Sequence, residues 1–303
     1  MSVPITRRAF LDRAALAALA VAAPRVRWRT AAAPLRIAVI PSANAPDRAL
    51  GIQLGVDEAR HAAALFGGGV ELQTAAPREP FATAAARLAG ATPTVMIGGD
   101  TASECERLAA IAAAHGAIYF NVGCADDALR ARACSRAAFH VCPSGAMLRQ
   151  ATTERPAAAG ATALAWDPAL VKFGADTLNE RFLKQFNRPM NSASWCGWVA
   201  IKIAWEASLR ARSTEGQAIG AFLETPAAQF DGHKGRPLSF RTWNHQLRQP
   251  VYVTAAPVAA GSAVAGAGQP IEVPSSREEE DARTSLDRLG ISQSASACTW
   301  TAS

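Results

Sequence analysis

The chain of 303 residues contains no Gly-x-Ser-x-Gly elbow, no His-Glu-x-x-His and no glycine-rich loop ending in Gly-Lys-Ser/Thr. The sequence signatures of serine acyl transfer, zinc hydrolysis and nucleotide phosphate binding are therefore missing, and the chain reads as a non-enzyme. His61, His115, His140, His233 and His245 are scattered and read as surface or hydrogen-bonded residues. Six cysteines are present, but no Cys-x-x-Cys, and Cys105, Cys124, Cys134, Cys142, Cys196 and Cys298 lack zinc-site spacing. Neither a metal nor a cofactor is expected. The apolar run from Ala14 to Ala23 is too short to cross a bilayer, so no stable membrane span is expected.

Charge is unevenly placed. The formal net charge is +6, yet residues 1–33 hold six arginines against the single acid Asp12, so subtracting their +5 leaves +1 for the rest. No basic cluster interleaved with aromatics remains there, which argues against nucleic acid as a partner. The basic segment itself carries Arg7-Arg8 with Phe10-Leu11 ahead of the Ala-rich run, the pattern of a twin-arginine export signal, with cleavage after Ala23 or Ala33. Export to the oxidising periplasm allows cysteines to pair. Cys105–Cys134 is the expected bridge, both residues being placed near helix ends on one side of one lobe.

From Pro34 the chain alternates strands and helices. Leu35–Ile40, Val70–Thr74, Thr94–Ile97 and Ile118–Val122 read as strands, and Ala49–Leu65, Phe81–Ala89 and Glu104–His115 as helices. Strands apolar on both faces with helical crossovers predict an α/β fold with a parallel sheet. Pro143–Pro156 is polar and mixed, Trp166–Phe186 reads as one helix, and Ser194 is placed as the cap of a helix carrying Trp195, Trp198 and Trp205. Phe230–Val253 reads as a hairpin-like element, Ala255–Gln269 as a linker and Arg277–Leu289 as a short helix. The expected division is 1–33 signal, 34–142 first lobe, 143–165 shortened crossover, 166–215 helices packing on that lobe, 216–255 hairpin, and 256–303 linker and terminal helix.

Several strings resemble the branched-chain amino-acid type of ABC transporter binding proteins, the type I periplasmic class: Val95-Met96-Ile97-Gly98-Gly99-Asp100-Thr101-Ala102-Ser103, Ile118-Tyr119-Phe120-Asn121-Val122-Gly123, Phe230-Asp231-Gly232-His233-Lys234-Gly235 and Gln249-Pro250-Val251-Tyr252-Val253. A narrower resemblance, to the binding-protein-like component of pyrroloquinoline-quinone-dependent alcohol oxidation systems, is carried by Asp126-Asp127-Ala128-Leu129-Arg130, Phe139-His140, Pro143-Ser144 and the run Ser239 to Pro250. The resemblance implies a periplasmic solute-binding component with an ABC permease as partner, its small-molecule ligand unidentified. A periplasmic quinone-dependent dehydrogenase is the alternative partner, for a single-lobe accessory or interaction module without transport activity. One departure stands out. Only Cys142–Ala165 separates landmarks between which the family builds most of a second lobe, too short for three strands with crossover helices, so that lobe is expected to be largely missing or shortened.

In an open α/β sheet the ligand crevice lies beyond the carboxyl ends of the strands. Gly98, Gly99, Thr101, Ser103, Asn121 and Asp126 fall there, and the resemblance makes the glycine turn an amino-acid carboxylate cradle. The same residues also suit plain turns and helix caps, and Asp100 opposes a carboxylate. Trp195, Trp198 and Trp205 share one helical face; they read either as core or, with Trp243 and Arg248, as an interface or a stacking surface for a planar quinone.

Overall fold

A computed structural model describes residues 33–66, 68–155, 161–254, 270–275 and 281–300. Residues 1–32 of the expected export signal, the 255–269 linker and the first residues expected of the terminal helix lie outside the described residues.

The first half alternates β1 (Leu35–Val39), α1 (Pro46–Phe66), β2 (Val70–Thr74), α2 (Phe81–Gly90), β3 (Val95–Ile97), α3 (Ala102–Ala114), β4 (Ile118–Asn121), α4 (Ala128–Ala131) and β5 (Ala138–His140). The strands form one parallel sheet in the order β2-β1-β3-β4-β5. Side-chain alternation divides them between two cores. Leu35, Ile37, Val39 and Phe120 join one cluster, whereas Ala38, Met96 and Tyr119 join another with Leu88, Cys105 and Leu108. This is why β1, β3 and β4 read as near-continuous apolar runs, whereas the edge strand β2 alternates and is half exposed.

The polar stretch after β5 is not irregular. Ser144 Oγ accepts from Met147 N at 3.1 Å and starts α5 (Gly145–Glu154), which leads into β6 (Thr162–Leu164). The helix expected over Trp166–Phe186 begins only at Ala175, because Phe173 and Gly174 adopt left-handed backbone; it is α6 (Ala175–Phe186). Next comes α7 (Ser192–Ala211), whose cap is Asn191 rather than Ser194: Asn191 Oδ1 accepts from Ser194 N at 3.0 Å, and Ser194 Oγ accepts from Asn191 N at 2.8 Å. Then follow α8 (Gly216–Leu223), β7 (Ser239–Phe240), β8 (Leu247–Arg248), β9 (Val251–Thr254), β10 (Ile271–Val273) and α9 (Ala282–Asp287).

The second lobe is reduced, among the described residues, to the antiparallel sheet β10-β9-β6 with α5 against it. Its small core joins Met147 and Ala151 to Val251, Val253, Val273 and Leu289.

Packing decides between the two readings of the tryptophans, in favour of core, and corrects the disulfide. Trp195, Trp198 and Trp205 are buried and do not form a presented stripe. Trp195 stacks on Trp166 at 5.9 Å, and Trp198 Nε1 donates to Glu58 Oε2 at 2.8 Å. The helix is covered by α1 on one side and by the Phe230–Leu238 segment on another, so apolar residues occur around most of it. Trp243 is half-buried beneath Arg241 and Arg248, and buried Arg248 donates to Asp287 Oδ1 at 2.7 Å. The disulfide joins Cys134 to Cys298, with Cα atoms 5.5 Å apart, not to Cys105. Cys105 sits in the first turn of α3 facing the core, where it shares a hydrogen bond with Cys124; that bond holds the Cys124 thiol down at about 6 and raises that of Cys105.

Lys234 is fully buried, its Nζ donating to Gln249 Oε1 at 2.9 Å and Pro250 O at 3.0 Å and lying 3.8 Å from the Trp195 ring centre. Burial outweighs these partners and pushes the ammonium from 10.5 down to about 7. An unfolded lysine keeps its proton to about pH 10.4. Between the two values the unfolded chain binds more protons, so native stability gains as pH rises. Urea titrations at pH 7 and pH 9 should therefore show the wild type gaining on Lys234→Met by up to about 1.4 kcal/mol per pH unit. A pH-independent difference would mean that Lys234 stays charged in the fold.

Candidate functional site

In the strand order 2-1-3-4-5 the connections reverse between β1 and β3, the switch point beyond whose carboxyl ends an open α/β sheet places its ligand crevice. On the β1 side, Ser42 Oγ accepts from Asn44 N and Ala45 N and donates to Asp100 Oδ2. On the β3 side, Gly98 and Gly99 turn the chain with φ of 151° and 80°. A Cβ on Gly99 would lie 3.1 Å from both Cys105 Sγ and Tyr119 Oη, and Tyr119 Oη donates to Gly98 O at 2.7 Å. The turn is thus packed onto the core beneath it.

Thr101 is exposed and caps α3 in a reciprocal box with Glu104, and Ser103 is exposed two residues on. Asn121 is fully buried: its Oδ1 accepts from Gly123 N at 3.1 Å and Cys124 N at 2.9 Å, and its Nδ2 donates to Cys124 O at 2.8 Å. Asp126 is exposed, with Oδ1 accepting from Ala128 N at 2.8 Å. All six expected residues lie on the carboxyl side of the sheet, and the polar side chains with bonds are spent on shaping the β3 and β4 loops.

The residue that faces the crevice most tellingly is Arg48, which the sequence reading passed over. It stands in the first turn of α1, where a cation opposes the helix dipole, and that misplacement is the sequence signal. Its Nη1 donates to Asp100 Oδ1 at 2.7 Å, while its Nε is buried without a hydrogen-bond partner. The guanidinium lies flat on Gly123, where a Cβ would come within 2.1 Å of Nη2. Gly123 is therefore required for the arginine to occupy this place. Beside it is a cleft of about 270 Å³ walled by Val122, Cys142, Leu148, Leu164, Cys196 and the first turn of α7. Burial raises the Cys142 thiol and pushes Cys196 up to about 12, so both are neutral wall groups. Arg130, also buried, donates to Cys142 O at 3.1 Å and to Gln246 Oε1, which ties the β5 loop to the hairpin.

Removing one member of the Arg48–Asp100 pair leaves a largely buried charge alone. Asp100→Asn should cost about 2 kcal/mol in urea denaturation, less than a fully buried pair because Asp100 is one-quarter exposed. The double variant with Arg48→Met should recover part of that loss; additive losses would show that the two side chains are not coupled.

Among the described residues no group of three His, Cys, Asp or Glu is placed to hold a metal ion, and no helix is long and apolar enough to cross a membrane. No protein-family model matches the chain, and no curated protein matches it in sequence. Solved structures do match in shape. A periplasmic binding protein from Burkholderia mallei superposes with a TM-score of 0.64 at 12% identity, over 79% of this chain and 94% of the other. The fold is that of a type I periplasmic binding protein. A leucine-, isoleucine-, valine-, threonine- and alanine-binding protein from Brucella ovis in its closed conformation gives 0.62 at 11% identity, over 80% and 94%. An ABC-type branched-chain amino acid transporter protein from Rhodopseudomonas palustris gives 0.62 at 15% identity, over 78% and 95%. These type I neighbours are binding and transport proteins, not enzymes, and the parallel sheet expected from the sequence, here of five strands with Ala138–His140 added, belongs to the fold they share.

Proposed function

We propose that this chain is a periplasmic solute-binding component of an ABC import system, capturing a small molecule in the crevice between the parallel sheet and the reduced antiparallel sheet. The observation that carries this reading is the cleft itself. It joins the carboxyl ends of β4 and β5 to α5, β6 and the start of α7, so residues from both sheets meet around one space. Its walls are mostly apolar with one convergent cation, the usual make-up of a small-molecule site. The Arg7-Arg8 pattern supports export to the compartment where such a component meets its permease. The narrower setting, beside pyrroloquinoline-quinone-dependent alcohol oxidation, is supported by the sequence strings around Asp126–Arg130 and Ser239–Pro250 alone.

A ligand that binds only the native state raises apparent stability by RT ln(1 + [L]/Kd), about 2.7 kcal/mol at a hundredfold excess over Kd. Thermal unfolding with a panel of amino acids, short alcohols, their acids and pyrroloquinoline quinone should therefore give a saturable rise with one chemical class. No shift across the panel, from folded protein, would favour the accessory-module alternative.

A further inference from the structure

We propose, resting on the solute-binding reading, that the crevice takes a small monocarboxylate with a short apolar chain, its carboxylate on Arg48, and that it selects against the corresponding amino acid. Three observations meet here. The first is a donor without an acceptor: Arg48 is 7% exposed, and its buried Nε has no partner among the described residues although Nη1 is held by Asp100. Nε itself is closed to solvent, so it is the edge of the guanidinium over Gly123, where both residues line the cleft, that is set to receive an anionic oxygen.

The second is the start of α7. Ser192 and Ala193 line the same cleft in the first turn of a twenty-residue helix, where backbone amides lack intrahelical acceptors and the helix dipole favours negative charge. The guanidinium and these amides border one small space, so an anion seated there meets both.

The third is what the wall omits. Among the described residues no aspartate or glutamate lines the cleft, and its larger apolar wall groups are Val122, Leu148, Leu164 and two buried cysteines. Asp100 has both oxygens taken, Oδ1 by Arg48 and Oδ2 by Ser42, and Asp47, next to Arg48 in the chain, is engaged by Arg188 and Asn191. An α-ammonium entering with the carboxylate would lose its water and find no counter-charge, which is a strong penalty in an apolar site. The volume, about 270 Å³, falls just under the range of roughly 300–1,000 Å³ typical of drug-sized ligands, so the chain must be short.

The test is isothermal titration of the purified full-length chain at pH 7 with three molecules sharing one carbon skeleton: 4-methylpentanoate, L-leucine and 4-methylpentan-1-ol. We expect saturable binding of 4-methylpentanoate, with leucine and the alcohol at least about thirtyfold weaker, a difference of about 2 kcal/mol at 1.4 kcal/mol per tenfold. Arg48→Gln should weaken the acid by a similar factor. Because that variant also breaks the Asp100 pair, Gly123→Ala is the second probe: it keeps both charges, displaces the guanidinium, and should weaken the acid about tenfold while circular dichroism stays native. Leucine binding as tightly as the acid, or a Gly123→Ala variant that binds unchanged, would overturn this inference and leave the solute-binding reading intact. Silence towards all three and towards the wider panel would overturn both.

Discussion

Gly51→Leu is expected to abolish folding, and Gly51→Ala to cost about 3 kcal/mol. The reason lies in how α1 and α7 cross. A Cβ on Gly51 would stand 1.8 Å from Ser194 O, 2.6 Å from Ser194 C and 2.8 Å from Ser194 Cα. The obstacle is backbone, which has no alternative rotamer to adopt, so relief requires the helices to separate. Gly197 makes the reciprocal contact, 2.6 Å from Arg48 O, and Gly55 would meet Ile201 Cβ at 2.8 Å. None of the three has positive φ, so contact rather than backbone conformation demands the glycine. Intrinsic helix propensity favours alanine over glycine by about 1 kcal/mol, which predicts the opposite sign. Overpacking typically costs 1–3 kcal/mol and more where nothing can yield, so it prevails. Gly90, the last residue of α2, is the control. Nothing lies within 4 Å of its added Cβ, so Gly90→Ala should be neutral or slightly stabilising in the same urea titration. Equal effects at Gly51 and Gly90 would mean that the helices do not meet through glycine. The loss would also reach the crevice, since Arg48 starts α1 and Ser192 starts α7.

The same contact shows why parts of the molecule were legible in the sequence and others were not. The strands of the parallel sheet other than the edge strand β2 are largely apolar because helices cover both faces, and a buried strand announces itself by composition alone. The Thr94–Ile97 run into Gly98-Gly99 located the crevice side of the sheet for the same reason. Arg48 was overlooked because its importance is relational: only the fold brings Gly123 beneath it and Asp100 beside it. The helix over Gly145–Glu154 was hidden by weak amphipathicity, with Met147 and Ala151 its only buried residues, although Ser144 was a legible cap. The tryptophans of α7 illustrate the converse. Their spacing marked one face of a helix correctly, but spacing does not say whether that face meets water, and Trp166, Glu58 and Gly232 take up the indoles. Three-residue strands such as β6 and β10 carry too little pattern to be read without the partner that pairs them.

The disulfide was illegible for a related reason, and removing it is the second large effect. Cys298→Ser should lower stability by about 3–5 kcal/mol in guanidinium denaturation under non-reducing conditions, because the bridge closes a loop between residues 164 apart and long loops lose most when opened. The partner of Cys134 comes from the far end of the chain, where the sequence offers no spacing to follow. Around it the terminal segment is held by few other bonds: Ala297 N donates to Ala131 O at 2.7 Å, Ser296 Oγ to Arg130 O at 3.1 Å and Trp300 Nε1 to Thr242 O at 2.8 Å. The Trp300 ring lies 4.5 Å from that of His245, which in turn stacks on Phe139 at 4.2 Å, so loosening the segment bares part of the β5 side of the core. Cys134→Ser should cost the same, and the double variant no more than either, since one bond is lost in each. Cys105→Ser is the discriminating measurement. Its thiol lies outside the disulfide and is buried, so the change should cost far less than Cys298→Ser and leave the bridged peptide intact on non-reducing mapping. A Cys105→Ser variant as destabilised as Cys298→Ser, with Cys298 then alkylated in the unfolded wild type, would return the bridge to Cys105 and detach the terminal segment from the fold.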